Sequence, residues 1–105
     1  MGKREERGFT NQLIRVMLHI IKWLSQPEKR SNSWLISIYS GRKEISKLQN
    51  KHPRFNQNFI QTIWNTVFST AKRKAESEMG KQSDIEELTK KQVFEDEYKL
   101  GKDNE

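Results

Sequence analysis

Apolar residues recur along this chain with helical spacing, in three blocks separated by proline-containing breaks. In the first block Leu13, Met17, Ile20 and Leu24 mark one helical face, and Ile14, Leu18 and Ile21 widen it. Val16 and Trp23 extend it further, so a helix over 10–25, with Thr10 as its N-cap, presents more apolar surface than a single neighbour needs. Pro27 stops this helix, because proline lacks the amide donor and disfavours a helical residue before it. Ser31, Asn32 and Ser33 offer N-caps for a second helix over 33–51. Its apolar seam, Trp34, Ile38, Ile45 and Leu48, passes through Gly41, where a missing side chain would admit a neighbouring helix, and Pro53 closes it. The third helix, over 56–79, carries Phe59, Ile60, Ile63, Trp64, Val67, Phe68, Ala71 and Ala75 on one broad face and ends at Gly80.

Past Gly80 the chain is polar and acidic. Thr89-Lys-Lys-Gln92 has the form of a capping box, so a short helix over 89–99 is expected, pinned by Val93, Phe94 and Tyr98. Residues 1–9 read as a flexible basic arm, residues 10–80 as a helical bundle, 81–105 as an acidic tail, and Gly101 to Glu105 as disordered. No segment alternates as a strand does. The expected fold is all-α: a small bundle of three main helices plus a short C-terminal helix.

Composition narrows the function more than it names one. With 105 residues the chain is one domain, and with no cysteine it holds neither disulfides nor a thiolate metal site. The apolar stretch from Leu13 to Leu24 is interrupted by Arg15, His19 and Lys22 and is far shorter than the roughly 20 residues of a membrane span. The N-terminus lacks the apolar region of a signal peptide, so a soluble cytoplasmic protein is expected. Charge is segregated: residues 1–54 hold twelve Lys/Arg against four Asp/Glu, and residues 81–105 hold five against eight. A basic half with an acidic tail suits either a polyanion ligand or a tail that folds back to neutralise its own domain, and the second is the commoner outcome.

No residue pattern spells out a reaction. His19 and His52 lack neighbouring ligands at helical spacing, so His19 reads as a packed structural residue and His52 as a helix-end residue near terminal carbonyls. Adjacent acids Glu95, Asp96 and Glu97 diverge on a helix, which favours solvation over cation binding. Phosphate loops, serine-nucleophile motifs and dinucleotide fingerprints are missing, so no catalytic, cofactor or metal residue is assigned. Lys29, Arg30, Arg42, Lys43 and Lys47, near Trp34 or Tyr39, are the residues a nucleic-acid surface would use. Arg30 and Trp34 are expected to form a cation–π contact across the turn.

Two segments carry a resemblance to a known family. The first runs Leu18-His-Ile-Ile-Lys-Trp23, then Gln26-Pro27 and Arg30-Ser-Asn-Ser-Trp34; the second is Leu88-Thr-Lys-Lys-Gln-Val-Phe-Glu-Asp-Glu-Tyr98. With His52-Pro53 and the Ala-containing helix to Met79-Gly80 between them, the order resembles that of domain of unknown function 29, a family of small helical bacterial proteins, over roughly residues 11–100. The resemblance implies an all-helical fold and no activity. Family members usually begin with several dozen further residues, including another helical segment, and here only Met1 to Thr10 precede the first expected helix. That departure and the over-wide face of helix one imply self-association, or another protein that completes the missing N-terminal segment. The leading expectation is therefore a non-enzymatic protein-interaction module. Leu13, Met17, Trp23, Lys29, Arg30, Trp34 and Phe59 are its candidate partner or structural surface. A basic nucleic-acid-binding protein is the alternative.

Overall fold

The computed structural model describes residues 2–101; the expectation of disorder at residues 102–105 lies outside them. Three α-helices, α1 (Gly2–Ser25), α2 (Asn32–Lys51) and α3 (Gln57–Met79), form the body of an all-α protein, and the described residues contain no strand. Between α1 and α2 the chain makes one 3-10 turn, Pro27–Lys29, with proline at its start as the sequence anticipates. Ser31 caps α2 by accepting the Trp34 N–H (3.4 Å), and Asn56 caps α3 by accepting the Phe59 N–H (3.0 Å). Gly80 ends α3 in the left-handed region at φ 70°, where glycine alone carries no Cβ penalty.

Helix α1 is the hub. Val16 lies against Gly41 and Lys22 lies over Trp34, so α2 runs antiparallel to α1; Phe9 meets Phe59 and Lys22 meets Glu78, so α3 runs parallel to it. The core is built from buried residues of all three helices, with Leu13, Val16, Met17, Ile20 and Ile21 of α1 wholly excluded from solvent. Ala71 and Ala75 are also fully buried, so the tapering of α3 from aromatic to alanine marks close packing and not a helix leaving the core.

A Cβ placed on Gly41 would meet the Val16 Cγ2 at 2.5 Å, closer than any packed contact allows. Val16 is buried and β-branched, so it has little room to give way. Overpacking of this kind costs about 1–3 kcal/mol and alanine regains at most about 1 kcal/mol of helix propensity, so Gly41→Ala is expected to destabilise by about 1–2 kcal/mol. Urea unfolding of Gly41→Ala, Val16→Ala and the double variant measures it. The double variant should be more stable than the sum of the two single losses predicts, and strict additivity would remove the close approach as the cause.

Two expectations are corrected. Helix α1 starts at Gly2 and not at Thr10, so the described part of the supposed flexible arm is helical. The cause is Phe9, fully buried and stacked on Phe55 with ring centroids 4.7 Å apart, which anchors the N-terminal turns to the bundle. The acidic tail does carry the expected short C-terminal helix, but as a single π-helical turn, Lys91–Glu95, shorter than 89–99 and flanked by segments without regular structure. Its capping box does form, with the Gln92 Oε1 accepting the Thr89 N–H (2.8 Å) and the Thr89 Oγ1 accepting the Gln92 N–H (3.1 Å). The helix fails to propagate because side chains of the bundle claim the backbone groups it needs. Arg42 donates to the carbonyls of Gln92, Val93 and Asp96, and the Tyr39 hydroxyl both accepts the Tyr98 N–H and donates to the Tyr98 carbonyl.

Candidate functional site

The corner between α1 and α2 is a structural joint. Trp23 is 4 % exposed and its ring meets Tyr98 edge-on at 6.0 Å. The Arg30 Nε donates to the Trp23 carbonyl (2.9 Å) while its guanidinium sits 4.7 Å above the Trp23 ring. The expected pairing of Arg30 with Trp34 is therefore corrected: the unfilled carbonyl at the end of α1 draws the cation, and Trp34 is covered by Lys22 at 4.9 Å. Tyr98 completes the joint by donating its hydroxyl to the Gln92 carbonyl (2.8 Å); burial first, then the nearby Asp96 charge, push its pKa up to about 12, so it stays a donor.

The other candidates divide between core and surface. Leu13 and Met17 are 0 % exposed, and half-buried Phe59 packs with Phe9 and Phe55, so none of the three offers an apolar face to a partner. Trp34 is half-buried, while Lys29 is exposed in the 3-10 turn. The wide face of α1 is accounted for inside one chain: α2 and α3 flank it and the tail, through Val93 and Tyr98, covers the remainder. Among the described residues Ile36, Tyr39 and Leu100 are the large apolar side chains left exposed.

Among the described residues the tail does not neutralise the domain through ion pairs. Asp96 pairs with Lys91 inside the tail (2.6 Å), and among the described residues no ion pair joins an acid of residues 81–101 to the bundle. The expected nucleic-acid set is also dispersed. Arg42 is committed to the tail backbone, Arg30 to Trp23, and Lys47 stands about 22 Å along α2 from its first residue, beyond which Lys29 lies.

Two polar assemblies take its place. At one end of the bundle the antiparallel pairing of α1 and α2 places the exposed Lys3, Arg4 and Arg7 of the first turns of α1 at the same end as the exposed Lys47 and Lys51 of α2; the Arg54–Glu6 ion pair (2.9 Å) ties α1 to the α2–α3 connection there. Lys47 reaches Glu44 at 3.6 Å, and Lys3, Arg4, Arg7 and Lys51 form no ion pair among the described residues. Forty residues separate Arg7 from Lys47 in the sequence, so only the antiparallel packing puts the two sets at the same end.

The second assembly is an open groove of about 310 Å³ between α1 and α3, with His19 on its wall. A carbonyl oxygen only accepts, so the 2.8 Å contact of His19 Nδ1 with the Arg15 carbonyl places a proton on Nδ1 and leaves Nε2 bare in the neutral ring. Burial holds the His19 pKa below its ordinary value; the Arg15 carbonyl and Glu78 oppose that shift, while Lys22 and Arg15 reinforce it. His52 stands apart at the end of α2, its ring edge-on to Phe55 at 5.6 Å. Among the described residues no three His, Cys, Asp or Glu side chains gather where they could hold a metal ion, and no helix is long and apolar enough to cross a membrane.

These features define a class: a three-helix bundle locked by a C-terminal strap, with a pinned aromatic corner. The chain belongs to the family described as Domain of unknown function DUF29, whose model matches residues 1–103. No curated protein and no solved structure matches the chain.

Proposed function

We propose that this protein is a non-enzymatic binding module that engages a polyanion, nucleic acid first, through the basic end of its bundle. The carrying observation is that this one end of the bundle exposes Lys3, Arg4, Arg7, Lys47 and Lys51, four of them without an anionic partner among the described residues. Docking of a protein through apolar helix surface has less to recommend it, because Leu13, Met17 and Trp23 are buried in the core and the strap covers the rest of the α1 face. Aromatic stacking contributes little at this end, since Trp34 and Tyr39 lie elsewhere and are already engaged. Sequence-independent phosphate contact is the chemistry that remains.

With three to four phosphates contacted, affinity for duplex DNA should fall by about 40–150-fold between 50 and 200 mM salt. Fluorescence anisotropy of a labelled 20-base-pair duplex measures this directly. The double variant Arg7→Gln/Lys51→Gln should weaken binding at 50 mM salt and flatten the salt dependence, with unfolding unchanged. Absence of binding at 50 mM salt, or binding indifferent to salt, would reject the proposal.

A further inference from the structure

The α1–α3 groove has the composition of an anion site, although no sequence motif announces one. Arg15 and His19 of α1 and Lys74 of α3 line it, Asn11 adds an amide, and Ile14 and Leu18 supply apolar surface. Its one acid, Glu78, is already paired with Lys22 at 2.8 Å, with the Lys22 side chain 13 % exposed. Arg15 makes one long hydrogen bond to the Gln12 Oε1 (3.4 Å) and no ion pair, and Lys74 makes no ion pair among the described residues. The groove thus presents two uncompensated cations beside a histidine whose bare Nε2 gains a proton, and a third positive charge, when an anion makes that favourable. The charged groups around that ring are Arg15 and Lys22 from α1 and Glu78 and Lys74 from α3. The volume lies at the lower end of the range for small-molecule sites, roughly 300–1,000 Å³.

We infer that this groove binds one tetrahedral dianion, the phosphomonoester group of a small ligand or of a nucleic-acid strand end, between Arg15, Lys74 and the protonated His19. The site uses none of the side chains of the basic end and stands or falls separately from it.

Sulfate is the decisive probe, because it keeps its double charge from pH 5 to 8 while His19 titrates. The ring resonances of His19 are followed by NMR against pH in sodium sulfate and in sodium chloride of equal ionic strength. Bound sulfate should raise the His19 pKa by about one unit, equivalent to about tenfold tighter binding of sulfate to the protonated form. Lys74→Gln, an exposed substitution, and Arg15→Gln should each remove most of the difference, whereas Arg7→Gln/Lys51→Gln should leave it intact. Identical His19 titrations in the two salts, or a difference undiminished by Lys74→Gln with Arg15→Gln, would overturn the site. Adenosine 5′-monophosphate compared with a 5′-phosphorylated dinucleotide then distinguishes a free phosphomonoester from a strand end by which one reproduces the sulfate shift at lower concentration.

Discussion

Replacing Arg42 with methionine is expected to release the C-terminal strap and to destabilise the protein by about 2–4 kcal/mol. The guanidinium donates from Nε to the Val93 carbonyl (2.8 Å) and from one terminal nitrogen to the carbonyls of Asp96 (2.8 Å) and Gln92 (3.2 Å). A hydrogen bond from a charged donor is worth about 1.5–3 kcal/mol, and rehydration of the freed carbonyls returns part of that, which sets the range. The rings of Tyr39 and Tyr98 lie 5.3 and 5.5 Å from the guanidinium carbon, so the cation also holds the two aromatic groups that grip the end of the strap. Urea unfolding gives the free energy. Amide exchange at residues 93–98 and limited proteolysis within 81–101 report on the strap itself, and the Trp64 Nε1–Leu88 carbonyl bond (3.1 Å) makes tryptophan emission a further reporter of release. Arg42→Lys should recover less than half of the loss, because an ammonium group lacks the planar fork that reaches three carbonyls at once. A change below about 0.5 kcal/mol with unaltered protection of the strap would show that the clamp has no energetic weight.

The same clamp explains which parts of the molecule were legible in the sequence. Features fixed by local chemistry are readable: the three helices, the proline stop after α1, the Ser31 cap and the Gly80 terminus each depend on neighbours a few positions away. The anchors Val93, Phe94 and Tyr98 are legible in the sequence, but the path of the strap is not, because the bundle fixes that path through the main chain. Arg42, Tyr39, Trp64 and Glu76 contact backbone groups at positions 92, 93, 96, 98, 88 and 83, and any non-proline residue there presents the same amide and carbonyl. A charged residue on an amphipathic helix reads as solvated surface, available at most to a nucleic-acid ligand, whereas the structure turns Arg42 and Arg30 toward carbonyl oxygens. The over-wide face of α1 signals more than one neighbour, and within this chain α2, α3 and the strap supply the cover that the sequence leads one to expect from a second protein.

The capping signal at Thr10 hid the residue whose loss should matter most. Truncation of Phe9 to alanine is expected to destabilise the protein by about 3–5 kcal/mol, the usual range for removing a buried aromatic side chain. Phe9 is fully buried, stacks on Phe55 at 4.7 Å with an interplanar angle of 26°, and meets Phe59 at 5.8 Å and 66°. The cluster closes the end of the bundle where α1 begins, α2 ends and α3 begins; the guanidinium of Arg54 lies 4.5 Å over Phe55 and pairs with Glu6 above it. Against a typical urea dependence of roughly 1–3 kcal/mol per molar, the loss should move the unfolding midpoint by about 2 M. Phe9→Leu keeps most of the volume and should cost about 1–2 kcal/mol, the remainder reflecting the ring stacking that leucine cannot supply. If residues 1–9 were a loose arm beside an independent bundle, both variants would unfold with the wild type. A Phe9→Ala loss below about 0.5 kcal/mol would restore that view, and a loss near the expected range makes the first turns of α1 part of the cooperative core.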